Sequence, residues 1–273
     1  MPEAPEIASR SDEMNTALKN KMIREIEIIQ PKCLNMSAEA FTAALVTAVI
    51  QKVSYHGKWI MVDTTRGWLL LNLGMGGEIL LVTRRTMPEK YRLVFDFADN
   101  TCLAVNFWWF GYAFHAKQNE LNNIPMIARL GPNVLDLSLQ DFNAILNTQK
   151  GKLRVKALLL DQSKIAGIGN AYIHDILFLA GLHPNRLVTS LTETERNGLY
   201  HAIQDGLHPS LKKGGAFYET NLYGQKGGFT MEDVLIGYRE GKPCPRCGTS
   251  IMKIRTGSTS SFICPTCQPD SAP

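Results

Sequence analysis

Hydrophobic positions near the start of the chain repeat at the spacing of an α-helix. Residues 8–20 carry Met14 and Leu18 four positions apart, which predicts one amphipathic helix. A second helix is predicted over residues 38–49, because Ser37 is a good N-cap and an acidic residue lies in the first turn.

The spacing changes between residue 51 and about residue 115. Five segments of this region are short and either apolar or alternating: WIMVD, WLLLNL, EILLV, YRLVFDF and CLAVNFW. Turn residues separate them at Arg66–Gly67, Gly76–Gly77 and Asp99–Asn100. This pattern predicts a run of antiparallel strands, most simply arranged as a sandwich or a flattened barrel.

Helical spacing returns after a polar connection that includes Gly131-Pro-Asn133. Helices are predicted in LQDFNAILNTQ, VKALLLDQ and NAYIHDILFLAG. Thr192 and Glu195 have the spacing of a capping box and start a further helix. The glycine-rich residues 212–229 predict a long loop, and such loops in compact domains are usually functional or mobile.

The composition is that of a globular protein with a sizeable core. Of its 273 residues, 45% are hydrophobic and 20% charged, and the net charge is +4, which excludes a disordered chain and a histone-like basic tail. No apolar run is long enough for a transmembrane helix, and the first residues are acidic where a signal peptide would be basic. We therefore expect a soluble protein of a reducing compartment, with Cys33 and Cys102 as ordinary buried residues.

Four of the six cysteines form two C-x-x-C pairs near the end of the chain. Cys244 and Cys247 make the first pair and Cys264 and Cys267 the second, with sixteen residues between the pairs. Four thiolates at this spacing predict one tetrahedral Zn²⁺ site on a β-hairpin. Because four cysteines leave no open coordination position, we expect this zinc to be structural and not catalytic.

A glycine turn between two predicted helices is a candidate anion site. Residues 165–170 read IAGIGN, and the amides at the start of the following helix can bind a phosphate. Just upstream, Lys150, Lys152, Arg154 and Lys156 alternate within KGKLRVK. The turn alone fits a tight packing turn equally well, but the basic run and the zinc ribbon favour binding to the DNA backbone.

Residues 167–186, GIGNAYIHDILFLAGLHPNR, closely resemble the helix-two-turns-helix segment of the formamidopyrimidine-DNA glycosylase/endonuclease VIII family. Other signatures of that family occur in order: Pro2-Glu3-x-Pro5-Glu6 at the start, Lys58 after the first strand turn, Leu73-Gly-Met75-x-Gly77, and the C-terminal ribbon. The resemblance therefore covers essentially the whole chain.

The resemblance implies an α+β fold in three parts. These are an N-terminal catalytic β-sandwich domain with flanking helices (1–128), a helical helix-two-turns-helix DNA-binding domain (129–230) and a four-Cys zinc-finger domain (231–273). It also implies one structural Zn²⁺, damaged double-stranded DNA as the partner, no membrane and a monomeric state. A cytoplasmic, nucleoid-associated protein of bacterial type is expected.

By the same resemblance, the protein is a base-excision-repair DNA glycosylase that also cleaves the strand by β/δ-elimination. The reaction needs an amine that attacks C1′ of the deoxyribose and forms a Schiff base. Pro2 fits this role, because its secondary amine becomes the N-terminus once Met1 is removed. Glu3 is suited to proton transfer to the sugar ring oxygen, Lys58 to a contact with the phosphate at the lesion, and Glu6 to a supporting role.

The resemblance also assigns side chains to the DNA. Met75, on a glycine-flanked hairpin, matches the residue that fills the gap left by the flipped base. Trp109 and Phe110 lie in the loop that fills the void in the family. Asn170 and Lys156 match positions that hold DNA phosphates.

Three positions depart from the family's pattern. Trp109 replaces an arginine that would hydrogen-bond the orphaned opposite base, and since a tryptophan offers one donor, a strict preference for cytosine is not supported. Thr259 replaces an arginine that would bind phosphate, so that contact is expected to be lost or taken over by Arg255 or Lys253. Asn72 occupies a position often held by histidine.

The long loop at 212–229 resembles the lesion-covering loop of the purine-acting branch, which favours 8-oxoguanine and formamidopyrimidines as substrates. Two alternatives remain open: an oxidised-pyrimidine glycosylase of the endonuclease VIII type, and a catalytically weakened protein that binds DNA damage or DNA structure. Intact Pro2, Glu3 and Lys58 argue against the second alternative.

Overall fold

The computed structural model describes residues 1–270, which divide into two compact units. The first consists of Met1–Arg129 and Lys213–Gly228, and the second of residues 130–212 and 229–270. The glycine-rich loop therefore packs with the N-terminal unit, whereas the sequence grouped it with a helical domain at 129–230. Within the described part of the chain, no helix is long and apolar enough to cross a membrane.

The first unit is the antiparallel β-sandwich that the sequence predicts. Its strands are β1 (Ile23–Ile28), β2 (Ile50–His56), β3 (Trp59–Thr64), β4 (Gly67–Asn72), β5 (Glu78–Thr83), β6 (Leu93–Phe97), β7 (Thr101–Asn106) and β8 (Tyr112–Ala116). They form two four-stranded sheets, ordered β1-β6-β7-β5 and β2-β3-β4-β8. The helices of this unit are α1 (Ala4–Leu18), α2 (Ala38–Leu45) and the single turn α3 (Pro125–Ala128).

Alternate residues of the strands share one buried cluster between the sheets. Ile60 and Val62 of β3 and Leu69 and Leu71 of β4 belong to the same cluster as Phe95 of the other sheet. Burial of a side chain of this size contributes about 1.5–3 kcal/mol to stability. Membership of this cluster alternates along β3 and β4, because successive side chains of a strand point to opposite faces of the sheet.

Several elements of the first unit differ from the expectation: β1, β2 and β8 lie outside the five predicted strand segments, and α2 ends at Leu45 instead of residue 49. The alternating pattern does not predict β1, because a register shift between Ile23 and Glu25 interrupts its period of two. Helix α1 begins at Ala4, four residues before its predicted start, because Glu6 accepts the backbone N–H of Glu3 and stabilises the first turn.

The second unit combines helices with a hairpin. The helices are α4 (Leu139–Asn147), α5 (Val155–Leu160), α6 (Ile173–Leu179) and α7 (Glu193–Lys212), and the hairpin consists of β9 (Met252–Thr256) and β10 (Thr259–Ile263). The capping box before α7 is confirmed: the N–H of Glu195 donates to Thr192 Oγ1 at 3.2 Å, and the N–H of Thr192 donates to Glu195 Oε2 at 2.8 Å.

A buried carboxylate attaches the segment before the hairpin to helix α6. Asp175 accepts three consecutive backbone N–H groups, from Leu235, Ile236 and Gly237, at 2.8–2.9 Å. Burial raises the pKa of Asp175, and these three hydrogen bonds to the charged form act in the opposite direction.

Candidate active site

The amino terminus is held at the start of helix α1 by Glu6. Its carboxylate accepts the N–H of Glu3 at 2.9 Å and the N–H of Ala216, on the glycine-rich loop, at 3.1 Å. Pro2 and Glu3 are buried. Gly215 has a φ of +99°, and a Cβ there would lie 2.9 Å from Glu6 Cγ, so a larger residue would strain this junction. Glu6 thus connects Glu3 to the glycine-rich loop.

A cavity of about 280 Å³ lies beside the amino terminus. This volume is close to the lower end of the range for small-molecule sites, about 300–1,000 Å³. The lining comes from the amino terminus, the β4–β5 connection, the end of β7 and the glycine-rich loop: Met1, Gly76, Gly77, Glu78, Asn106, Trp108, Tyr218, Glu219, Thr220 and Lys226. Because Met1 itself lines the cavity, its removal would free the amine of Pro2 at this place.

Lys58 lies in the turn between β2 and β3, and Asn72 fastens that turn to the β4–β5 connection. Asn72 Nδ2 donates to the carbonyl of Lys58 at 3.2 Å, and Asn72 Oδ1 accepts the N–H of Gly74 at 3.0 Å. The Lys58 side chain is half-buried. Asn72, at a position often held by histidine in the family, therefore connects Lys58, the candidate phosphate-binding lysine, to the loop that carries Met75.

Met75, Trp109 and Phe110 lie on two loops that are hydrogen-bonded to each other. The N–H of Met75 donates to the carbonyl of Trp109 at 2.9 Å, and a Cβ on Gly74 would lie 2.0 Å from that oxygen. Met75 is 47% exposed, Trp108 61%, Trp109 64% and Phe110 68%. This exposure excludes a core role for the three aromatics. A cluster of exposed apolar side chains of this size marks a contact surface.

The glycine turn of the second unit ends at Asn170. Gln162 holds the turn, because its Oε1 accepts the N–H of Gly167 and its Nε2 donates to the carbonyl of Ile168, both at 2.9 Å. Gly167 has a φ of +119°, which favours glycine. Asn170 Oδ1 is buried and has no hydrogen-bond partner among residues 1–270, and because an amide oxygen only accepts hydrogen bonds, a contact of Asn170 with phosphate would use the Nδ2 donor.

Lys156 does not lie in the solvent-facing environment expected of a phosphate-binding lysine. It is 4% exposed, and its Nζ donates to the hydroxyls of Thr256, Thr259 and Ser261 and to the carbonyl of Ser260, at 2.8–2.9 Å. Burial lowers the pKa of Lys156 to about 8. Its contacts join helix α5 to the β9–β10 hairpin, and one of them is to Thr259, the residue that replaces the expected arginine.

The four C-terminal cysteines meet the geometry of a zinc site. All four Sγ atoms lie within 4.8 Å of one another, with Sγ–Sγ distances of 3.9 Å for Cys244–Cys267, 3.4 Å for Cys247–Cys264 and 3.5 Å for Cys247–Cys267. Zn–S bonds of about 2.3 Å in a tetrahedron require sulfur atoms about 3.8 Å apart. The donor set therefore fits Zn²⁺ with all four positions filled by protein, and this zinc is structural.

Sequence reasoning did not single out Glu78, Glu219 or Trp108 as lining residues. Glu78 begins an apolar strand, and Glu219 lies in a segment without periodicity, so neither has a distinguishing pattern. The only available signal is one of charge, because Glu219 is the single acidic residue in a loop segment that contains three lysines.

Pro2 precedes a helix beside a small cavity, and once Met1 is removed its secondary amine is suited to covalent attack on a carbon centre. The exposed aromatic side chains and the glycine turn before Asn170 are candidate contacts to DNA. Together these features define a DNA glycosylase that also acts as an abasic-site lyase.

Comparison with known proteins identifies the family within this class. Residues 1–106 match the formamidopyrimidine-DNA glycosylase N-terminal domain, residues 130–221 the formamidopyrimidine-DNA glycosylase H2TH domain, and residues 241–269 the zinc finger found in FPG and IleRS. The chain belongs to the formamidopyrimidine-DNA glycosylase family.

Relatives and solved structures match over nearly the full length. The chain is 32% identical to the formamidopyrimidine-DNA glycosylase of Pelotomaculum thermopropionicum, over 98% of this chain and 99% of the relative. A structure of Lactococcus lactis Fpg in complex with abasic-site DNA superposes with a TM-score of 0.89 at 26% identity, covering 98% of this chain and 100% of that one. For the MutM (FPG) protein of Thermus thermophilus the TM-score is 0.86 at 28% identity, with 99% and 100% covered.

Proposed function

We propose that the protein excises formamidopyrimidines and 8-oxoguanine from double-stranded DNA and then cleaves the strand at the abasic site. The observation that carries this proposal is the buried Pro2–Glu3 pair at the amino terminus, beside a cavity of about 280 Å³. The relatives supply the substrate class, since L. lactis Fpg has been solved with both abasic-site DNA and Fapy-dG DNA.

The N-terminal amine supplies the nucleophile. The lone pair of the Pro2 nitrogen forms a bond to C1′ as the glycosidic bond breaks, and the leaving base takes up a proton. Glu3 delivers a proton to the sugar ring oxygen, the ring opens, and the nitrogen loses its proton to give an iminium ion. Removal of a C2′ proton then expels the 3′ phosphate in β-elimination, and a second elimination releases the 5′ phosphate.

The exposed loops act on the DNA stack. Met75 and Phe110 enter the space left by the everted nucleotide, and Trp109 stacks against the orphaned opposite base. The cost of eversion is a few kcal/mol, which apolar contacts with the neighbouring bases offset. Because the Trp109 side chain has only one hydrogen-bond donor, we expect weak discrimination among opposite bases.

Two further groups hold the DNA backbone. Asn170 contacts a phosphate through the end of the glycine turn, and Lys58 contacts the phosphate at the lesion. Lys156 supports the hairpin instead of binding phosphate itself, and Thr259 contributes a hydroxyl at the surface. Because the relatives are formamidopyrimidine-DNA glycosylases of bacteria, we place the protein on the nucleoid of a bacterial cytoplasm.

Borohydride trapping tests the proposal. The protein is incubated with duplexes that carry an abasic site or 8-oxoguanine, and borohydride is added to reduce any Schiff base. We expect a covalent protein–DNA adduct that Pro2→Gly abolishes. Tight binding without trapping on either duplex would show instead a DNA-binding protein without lyase activity, and excision restricted to oxidised pyrimidines would move the protein to the endonuclease VIII type.

A further inference from the structure

Glu219 differs from the other acidic residues near the cavity in its hydrogen bonds. Glu6 and Glu13 each accept backbone N–H groups, and Glu78 accepts the hydroxyl of Thr220 at 2.7 Å. The carboxylate of Glu219 accepts no hydrogen bond from any residue in 1–270, although its side chain is only 12% exposed. Its ionic contact is with the terminal amine, at 4.0 Å.

The loop that carries Glu219 is fixed on both sides of this residue. The N–H of Glu219 donates to the carbonyl of Ala216 at 2.9 Å, and its own carbonyl accepts the N–H of Gly227 at 3.2 Å. Thr220 and Lys226 form a β-bridge directly beyond it. The position of the carboxylate in the cavity wall is therefore set by the fold and not by a freely moving loop.

The surroundings of Glu219 contain both signs of charge. Burial is the largest effect on the pKa of Glu219 and, together with the neighbouring Glu6, raises it above its ordinary value. The amino terminus, Arg10 and Lys226 act in the opposite direction, and Arg10 is itself only 6% exposed. A buried carboxylate without hydrogen bonds is costly, and a ligand with N–H donors would offset that cost.

We infer that Glu219 is a specificity-determining residue, whose carboxylate accepts hydrogen bonds from N–H groups of the damaged base in the cavity. This inference rests on the proposed glycosylase function. An ionised carboxylate only accepts hydrogen bonds, and it can accept two side by side. Guanine-derived lesions present adjacent donors at N1 and the exocyclic N2, whereas adenine-derived lesions present an acceptor at ring N1. Glu219 therefore favours guanine-derived lesions over adenine-derived ones.

Single-turnover excision by wild-type and Glu219→Gln protein tests this assignment. The substrates are duplexes with the guanine-derived formamidopyrimidine, the adenine-derived formamidopyrimidine, or a preformed abasic site. We expect Glu219→Gln to lower excision of the guanine-derived lesion about tenfold, the scale of one charge-assisted hydrogen bond, with little change for the adenine-derived lesion. Trapping at the abasic site, which has no base, measures any effect of the variant on the nearby amine alone, and the loss on the guanine-derived lesion is expected to exceed that effect about tenfold.

Glu232→Gln is the matched control, since it makes the same change at an exposed carboxylate of the other unit. Unchanged excision of the guanine-derived lesion, equal losses on both lesions, or a parallel loss of abasic-site trapping would each overturn the assignment. A thermal unfolding measurement checks that Glu219→Gln is folded. Glu219→Asp, which keeps the charge, is expected to retain the preference for guanine-derived over adenine-derived lesions. Failure of the wild-type protein to be trapped at an abasic site would reject the proposed function instead.

Discussion

Glu6 illustrates how much a single side chain contributes to this site. Its two oxygens accept N–H groups from Glu3 and Ala216, which lie at opposite ends of the first unit's sequence. Glycine is favoured at position 215, because its φ is +99° and a Cβ there would lie 2.9 Å from Glu6 Cγ. Glu3, next to the candidate nucleophile, is therefore connected to the glycine-rich loop through one carboxylate.

The buried ammonium of Lys156 leads to a prediction about pH. Burial lowers the pKa of Lys156 to about 8, whereas a lysine in the unfolded chain titrates near 10.4. Between these values the unfolded chain binds more protons, so the contribution of Lys156 to the free energy of unfolding rises with pH. We expect the thermal midpoint of the wild-type protein, relative to that of Lys156→Met, to rise as the pH increases from about 8 to about 10.4.

The comparison with Lys156→Met removes the effect of other groups that titrate in the same range. Lys156→Arg serves as a second reference, because a guanidinium stays charged throughout. A difference between wild type and Lys156→Met that stays constant over this window would contradict the lowered pKa.

At the scale of elements, the loop after β4 and the loop after β7 are joined by a hydrogen bond. This hydrogen bond runs from Met75 to Trp109, and the side chains of both point to solvent. Neither loop has the sequence period of a strand or a helix. Their shared role depends on a contact between residues that are 34 positions apart in the sequence.

Trp109→Arg tests whether residue 109 sets the preference for the base opposite the lesion. An arginine offers five N–H donors where the tryptophan offers one, and each good contact to a base edge discriminates by about 1–3 kcal/mol. We expect the variant to excise 8-oxoguanine at least about fivefold faster when cytosine is the opposite base than when any other base is. The wild-type protein is expected to show smaller differences among the four opposite bases. Strict cytosine dependence in the wild-type protein would show that Trp109 does not relax this choice.

At the scale of the whole molecule, the net charge of +4 on 273 residues is modest for a DNA-binding protein. Electrostatic attraction must therefore come from local groups, and the structure removes one of them from the surface by burying Lys156. Thr259 is exposed at the start of β10. A positively charged side chain at position 259 would therefore be exposed for contact with a DNA phosphate.

Thr259→Arg is expected to tighten DNA binding by adding one phosphate contact. The slope of log affinity against log salt should become steeper by about 0.9, because one further counterion is released. Fluorescence anisotropy with an abasic-site duplex over a series of salt concentrations measures both quantities. Thr259→Val, which adds no charge, is the control, and an unchanged slope in the arginine variant would place this residue outside the DNA interface.

Much of the fold follows from local patterns. The short apolar runs of β3 and β4 and the capping box at Thr192 and Glu195 predict elements that the structure contains. These local patterns do not predict β1, because the register shift between Ile23 and Glu25 interrupts the alternation of apolar and charged residues along the strand. A pattern of period two is visible only where the pairing is regular.

The sequence by itself determined the family, the four-thiolate zinc site and the candidate nucleophile, because each depends on residues at short, fixed spacings. Tertiary structure decided the place of Lys156, which points into the hairpin, and of Glu219, which lines the cavity. Lys156 and Thr259 are 103 residues apart, and Glu6 and Ala216 are 210 apart. Contacts at such separations arise from packing of the folded chain and leave no periodic trace in the sequence, so only the folded structure reveals them.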